Sequence, residues 1–258
     1  MEKKIFFASD FHLGLQSDPS SRQREEYVVR WLRSIMHETS ELYLVGDIFD
    51  FWFEYKHVIP KGFCKFLSVI EQFRELDIPV YFFTGNHDMW MFDYFEKEYG
   101  IPVIREPVER TFGNKKFIIG HGDGLGPGDH KYKMLKKVFA NRTCQWAFGW
   151  IHPNVGMAIA RYWSKKSRMA NNDAEYFLGP DKEWLIQYAE SEIAKGNTPD
   201  YFIFGHRHLA IDYRLSNGRS RYINLGEWVY NRSYAEFDGT ELKVNFFENK
   251  DGKLFPDN

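Results

Sequence analysis

Six times along the chain a short β-prone run stops at Gly or Ser and gives way at once to polar side chains. The runs are KKIFFASDFH (3–12), ELYLVGDIFD (41–50), PVYFFTGNHD (79–88), KKFIIGHGDG (115–124), DYFIFGHRHL (200–209) and RYINLGEW (221–228). Each is too short and too rich in β-branched and aromatic residues for a helix, and reads as a central strand. Between the first three runs the period changes. Tyr27, Val28, Trp31, Leu32, Ile35 and Met36 recur at helical spacing behind a Ser20-to-Gln23 capping signal, and Phe63, Phe66, Leu67, Ile70 and Phe73 do so again. Alternation of strand and helix implies an α/β sheet. In such sheets the loops beyond the carboxyl ends of the strands build the site.

Those loops carry Asp10 and His12, Asp47, Asn86 with His87, His121, and His206 with His208. A single H-x-H is weak evidence, since alternate residues of a strand share a face for any reason. The joint pattern is another matter. So many ionisable groups gathered at one sheet edge would cost several kcal/mol each unless a cation compensates them. Carboxylate, amide and imidazole donors without thiolate suit one or two divalent ions, manganese or iron as readily as zinc. Cys64 and Cys144 stand in no metal spacing, and two cysteines make no disulfide framework.

At 258 residues, with 43% hydrophobic and 27% charged side chains, the chain has the composition of one large globular domain or one domain with an insertion. The opening apolar run is cut at Asp10, too soon for a signal segment or a membrane span, so a cytoplasmic protein is expected. The net charge of −2 hides an asymmetry. From His130 to Asn172 there is no Asp or Glu, and nine Lys and Arg give that segment +9, leaving −11 for the remainder. The segment also holds WAFGWIHPNVGMAIARYW (146–163), where Pro153 should separate two helices. It reads as a helical hairpin packed on the main fold, or as an open cap that receives an acyl chain and rests on an anionic membrane. Its rings are too clustered with aliphatics to favour contact with single-stranded nucleic acid.

The series D-x-H (Asp10, His12), GD-x-x-D (Gly46, Asp47, Asp50), GNHD (Gly85 to Asp88), GH (Gly120, His121) and GH-x-H (Gly205, His206, His208) resembles the calcineurin-like metallophosphoesterases, in the same order. The resemblance implies a four-layer αββα sandwich with two metal ions at one end. By that likeness Asp10, His12, Asp47 and His208 would hold the first ion, and Asp47, Asn86, His121 and His206 the second, with Asp47 shared. Two cations about 4 Å apart can clamp a phosphoryl group and acidify a water for in-line attack. His87 is placed to orient the phosphoryl oxygens or protonate the leaving group, with Asp88 or Asp50 orienting it.

Within that superfamily the basic segment resembles the UDP-2,3-diacylglucosamine hydrolases of lipid A synthesis. Asp129 and Tyr132 follow His121 at that branch's spacing, and Ser167 to Asn171 is similar to the end of its cap. The likeness implies a cap over residues 127–180 of a single domain, 1–258, and hydrolysis of the substrate's pyrophosphate to UMP and 2,3-diacylglucosamine 1-phosphate. It further implies manganese as the ion, and peripheral contact with the cytosolic face of the inner membrane. Asn86, His87, Asp129, Tyr132, Ser167, Arg168, Asn171 and His206 would face the substrate. Two positions depart from the branch. Its GNRD is GNHD here, which removes an arginine clamp at His87, and a basic residue expected near the cap's end is Ala174. A general phosphodiesterase or nuclease of the superfamily, and a non-catalytic membrane or nucleic-acid binding module, are the alternative readings.

Overall fold

The computed structural model describes residues 3–128, 130–170 and 176–256, with backbone alone for 165–170. All six strand ends read from the sequence belong to strands: β1 (Lys4–Ala8), β2 (Thr39–Val45), β3 (Val80–Phe83), β6 (Lys115–Ile119), β7 (Tyr201–Phe204) and β9 (Arg221–Leu225). Six more strands complete two sheets: β4 (Val103–Ile104), β5 (Val108–Phe112), β8 (Ala210–Arg214), β10 (Ser233–Phe237), β11 (Leu242–Phe246) and β12 (Leu254–Phe255). The first sheet runs β11-β10-β1-β2-β3-β4 and the second β12-β8-β9-β7-β6-β5. Neighbours β1, β2, β3 and β4 are parallel, as are β6, β7 and β9, so each sheet presents its carboxyl ends along one rim.

Strand alternation sorts the core into three layers. Ile5 and Phe7, Tyr43 and Val45, Phe117 and Ile119, Tyr201 and Ile203 point between the sheets. Their neighbours Phe6, Ala8, Leu42 and Leu44 face outward onto α1 (Ser21–Ile35) and α2 (Cys64–Glu75), meeting Val28, Trp31, Leu32, Phe66, Val69 and Ile70. Ile118, Phe202 and Phe204 face the other way, onto Leu185, Ile186 and Ala189 of α7 (Trp184–Ala194). The result is the expected αββα order. The capping box at Ser20 is formed: its side chain accepts from Gln23 N–H, and the Gln23 side chain accepts from Ser20 N–H. A short α3 (Tyr94–Tyr99) leads into β4.

The acid-free segment folds as α4 (His130–Ala140), α5 (Arg142–Gly149) and α6 (Pro153–Ala170), with the break before Pro153. An aromatic seam holds it over the rim. Phe148 lies 4.8 Å from Phe53 and 4.7 Å from Trp90 between ring centroids, and the Trp90 indole donates to the Phe139 carbonyl at 2.8 Å. The helices bury little else, and Trp146 and Trp150 are 66% and 77% exposed. No helix among the described residues is long and apolar enough to cross a membrane.

Candidate metal centre

The strand ends meet in two donor groups that share one carboxylate. Asp10, His12, Asp47 and His208 form the first, and Asp47, His121 and His206 the second, each offering ligand atoms within 4.8 Å of one another; His12 also belongs to a third such group, with Asp50 and His87. In the first, His208 Nε2 lies 3.2 Å from Asp10 Oδ1 and 3.1 Å from His12 Nε2, so the two sheets meet through their ligands. In the second, His121 Nε2 lies 3.4 Å from Asp47 Oδ2. His121 Nδ1 lies 2.9 Å from the Val45 carbonyl, an acceptor only, so Nδ1 keeps its hydrogen there and Nε2 is the nitrogen turned toward the centre, able to bind an ion once its own proton has left.

The local backbone is bent to make this possible. Asp10, His12, Asp47, His206 and His208 all have φ between +45° and +67°, a region that side chains other than Gly rarely occupy. Strain of this kind costs about 1–3 kcal/mol per residue and persists where surrounding structure over-determines it. Gly46, at φ +84°, has the same requirement and a second one: a Cβ there would stand 2.5 Å from His121 Nδ1. The glycine that ends β2 lets the imidazole at the end of β6, in the facing sheet, lie against its backbone.

Whether these residues suit metal ions is answered by their unused atoms. Asp10 Oδ1, His12 Nδ1, Asp47 Oδ2, Asn86 Oδ1 and His121 Nε2 are buried with no well-formed hydrogen bond among the described residues. Three of these, Asp10 Oδ1, Asp47 Oδ2 and His121 Nε2, lie within the two donor groups, Asn86 Oδ1 is the amide oxygen expected to join them, and buried polar atoms are rarely left so without an ion or water. The protonation states agree. Burial drives His12 down to about 3 and His206 to about 4, so both are neutral donors. Burial opposes ionisation of Asp10 and Asp47, yet neighbouring imidazoles outweigh it, His208 and His121 for Asp10, His121 and His87 for Asp47. Ionised carboxylates beside the neutral imidazoles of His12 and His206 suit a divalent cation, which would displace the proton that Asp47 holds on His121.

The expected catalytic residues divide. His87 Nδ1 lies 3.1 Å from the Asp50 carbonyl and 3.7 Å from Asp50 Oδ1. Asp50 Oδ1 is also 3.9 Å from His12 Nδ1, so one carboxylate faces both rings. Asp88 is spent elsewhere: it accepts from the backbone N–H groups of Gly85 (2.7 Å), Asp47 (3.3 Å), Ile48 (2.8 Å) and Phe49 (3.3 Å), clasping the β2 and β3 loops together. Of the two candidates for orienting His87, the structure puts Asp50 beside it. Tyr132 donates its hydroxyl to Asp123 Oδ2 at 2.6 Å, and its ring centroid is 6.4 Å from that of His206. Asp129, Asn171 and Ala174 lie outside the described residues, and Ser167 and Arg168 are described only as backbone of α6.

Two residues join the site that the sequence reading passed over. Ser164 of α6 is buried and donates to Asp50 Oδ1 at 3.0 Å, with His87 Nδ1 at 3.4 Å, so the basic segment reaches the centre directly. Asp123 receives both Tyr132 and Lys136, the latter at 2.7 Å, and ties α4 to the loop of His121. Asp123 had a signal, the acidic residue in GHGDG. Ser164 had none.

With the fold and the donor groups in place, the comparison with known families is direct: the calcineurin-like phosphoesterase model matches residues 3–210, and the chain belongs to that family. Over nearly its whole length it is similar to a protein of Porphyromonas gingivalis named UDP-2,3-diacylglucosamine hydrolase, 34% identical over 96% of this chain and 99% of the relative. A protein of the same name from Shewanella halifaxensis is 25% identical over 93% of this chain and 97% of its own. Among solved structures, the E. coli phosphoesterase Yfce is similar at 16% identity with a TM-score of 0.45, over 95% of this chain and 93% of that one.

Proposed function

We propose that the protein hydrolyses the pyrophosphate of UDP-2,3-diacylglucosamine to UMP and 2,3-diacylglucosamine 1-phosphate, using two divalent ions, manganese by preference. The observation that carries this reading is the pair of donor groups sharing Asp47, in a chain similar over 96% of its length to a relative named UDP-2,3-diacylglucosamine hydrolase. Asp10, His12, Asp47 and His208 would hold one ion, and Asp47, Asn86, His121 and His206 the other. Two ions so held supply Lewis acidity toward a phosphoryl group and an attacking water. The remaining work falls to side chains. The Asp50 carbonyl fixes His87 with its hydrogen on Nδ1, which leaves Nε2 to meet a phosphoryl oxygen or the departing group. Ser164 steadies Asp50 and His87 from the cap side.

Residues 127–180 serve as the cap in this reading. Its seam residues Phe139 and Phe148 attach it, while exposed Trp146, Trp150 and Tyr162 are left for an acyl chain or the membrane interface. Exposed Lys131, Lys137, Arg142 and Arg161 supply attraction to anionic lipid. Asp129, Tyr132, Ser167, Arg168 and Asn171 are the candidate contacts to the sugar and its phosphate. The test is turnover by the purified protein with manganese, comparing UMP release from UDP-2,3-diacylglucosamine with hydrolysis of bis-p-nitrophenyl phosphate. Strong preference for the lipid supports the reading, and equal or greater turnover of the small diester replaces it with a general phosphodiesterase.

A further inference from the structure

The GHRHL stretch contributes its two histidines to the donor groups and leaves Arg207, between them, unexplained. Arg207 is 4% exposed and turns away from the centre into a bidentate pair with Glu183: Nε to Oε2 at 2.8 Å and Nη2 to Oε1 at 2.9 Å. The same Nη2 donates to the Tyr176 carbonyl at 2.7 Å, and the guanidinium lies 5.4 Å from the Trp184 ring centroid. Glu183 is 1% exposed and directly precedes α7, where the chain re-enters the main fold after the basic helices. One guanidinium therefore fastens the metal-facing loop to the segment returning from the cap.

The residues on either side of Arg207 show why a fastening is needed. His206 and His208 both have left-handed backbone, with φ of 67° and 58°, and they serve different donor groups. A small rotation of the loop would carry one imidazole toward its group and the other away. The backbone bonds from His206 N–H to Asp10 Oδ2 (3.1 Å) and from Arg207 N–H to the Gly205 carbonyl (2.8 Å) hold the near end of the loop. The side chain at 207 holds its middle, and a planar fork meeting a carboxylate at two points fixes orientation as well as distance.

We propose that Arg207 and Glu183 are positioning residues for the two-ion centre, locking the 205–208 loop so that His206 faces Asp47 and His121 while His208 faces Asp10 and His12. The assignment rests on the metal-centre reading. A buried ion pair is weak evidence of a stabilising role, since apolar residues of similar volume often replace one without loss of stability. That separates positioning from stability. The decisive variant is the double replacement Arg207→Met with Glu183→Leu, accompanied by Arg207→Lys, which keeps the charge and loses the fork. Each metal-free protein is melted and then titrated with Mn²⁺, bound and free ion being counted by electron paramagnetic resonance.

The double variant should melt at or above the wild-type temperature yet bind Mn²⁺ about 10-fold or more weakly, the usual scale for outer residues that orient ligands. Arg207→Lys should weaken Mn²⁺ binding in the same direction. Wild-type affinity at both sites in a folded double variant overturns the proposal. If the double variant does not fold, Arg207→Lys decides by the same criterion, and if neither folds the pair is a stability element and the assignment falls. Wild-type protein that takes up no Mn²⁺ removes the metal-centre reading itself, a result distinct from wild-type-like binding by the variants.

Discussion

Replacing Asp88 by Asn changes one atom and should cost the fold more than the chemistry. The carboxylate of Asp88 accepts four backbone N–H groups, two on each oxygen: Gly85 and Asp47 on Oδ1, Ile48 and Phe49 on Oδ2. An asparagine must turn its NH₂ toward one of those pairs, and either choice leaves two amide donors buried without an acceptor. Each pair has one short bond, 2.7 or 2.8 Å, and one long bond of 3.3 Å. An unsatisfied buried donor costs about 1–3 kcal/mol, with the long bonds at the low end, so Asp88→Asn should lose about 2–4 kcal/mol. For a chain of this size that is roughly a 4–16 °C drop in melting temperature. The assay is urea unfolding of the metal-free proteins, because bound ions would mask the difference by mass action. A loss under about 0.5 kcal/mol would refute the clasp and return Asp88 to the list of residues that could act on substrate.

His87→Ala should lower kcat by about 10²–10⁴ with both ions retained, checked by steady-state kinetics beside metal analysis. Trp146→Ser with Trp150→Ser should leave the fold intact and raise KM for the diacylated substrate while sparing bis-p-nitrophenyl phosphate, whereas Phe148→Ala, in the seam, should lower the melting temperature. Reversing the exposed Lys131, Lys137, Arg142 and Arg161 to Glu should weaken sedimentation with anionic vesicles, and added salt should mimic the change. For pH, burial holds His12 at about 3 and His206 at about 4 in the metal-free fold, below the 6.5 of the unfolded chain. The unfolded chain therefore takes up protons the fold refuses, and stability should fall as pH drops from 6.5 toward 4. His121 works in the other direction. Burial lowers it, but the charge of Asp47 outweighs burial and carries it to about 10, so its contribution is full below 6.5 and fades as pH rises toward 10. Its proton must leave before Nε2 can bind an ion, so Mn²⁺ uptake should release protons, measurable by calorimetry in buffers of different ionisation enthalpy.

The strand ends were legible because each joins a β-prone run to a glycine or serine and a polar cluster, and a site built from parallel strands repeats that signature. The β10–β11 hairpin was not read, although Asp238-Gly239 lies between its strands, because its runs SYAEF and LKVNF carry charges. In the basic segment the break at Pro153 was visible and the facing of the rings was not. Trp146 and Trp150, four apart on α5 and its cap, share the outward face, and Phe148 between them turns onto Phe53 and Trp90. Ser164 meets Asp50 across 114 residues and Arg207 meets Glu183 across 24, pairings that no local pattern announces.

Two ions sharing Asp47 define the proposed centre. Crystals of the protein grown with Mn²⁺ and measured at the manganese edge test it most directly. Two anomalous peaks are expected, one against Asp10, His12 and His208 and one against Asn86, His121 and His206, with the Asp47 carboxylate touching both. A single peak, or two peaks that do not share Asp47, would contradict it.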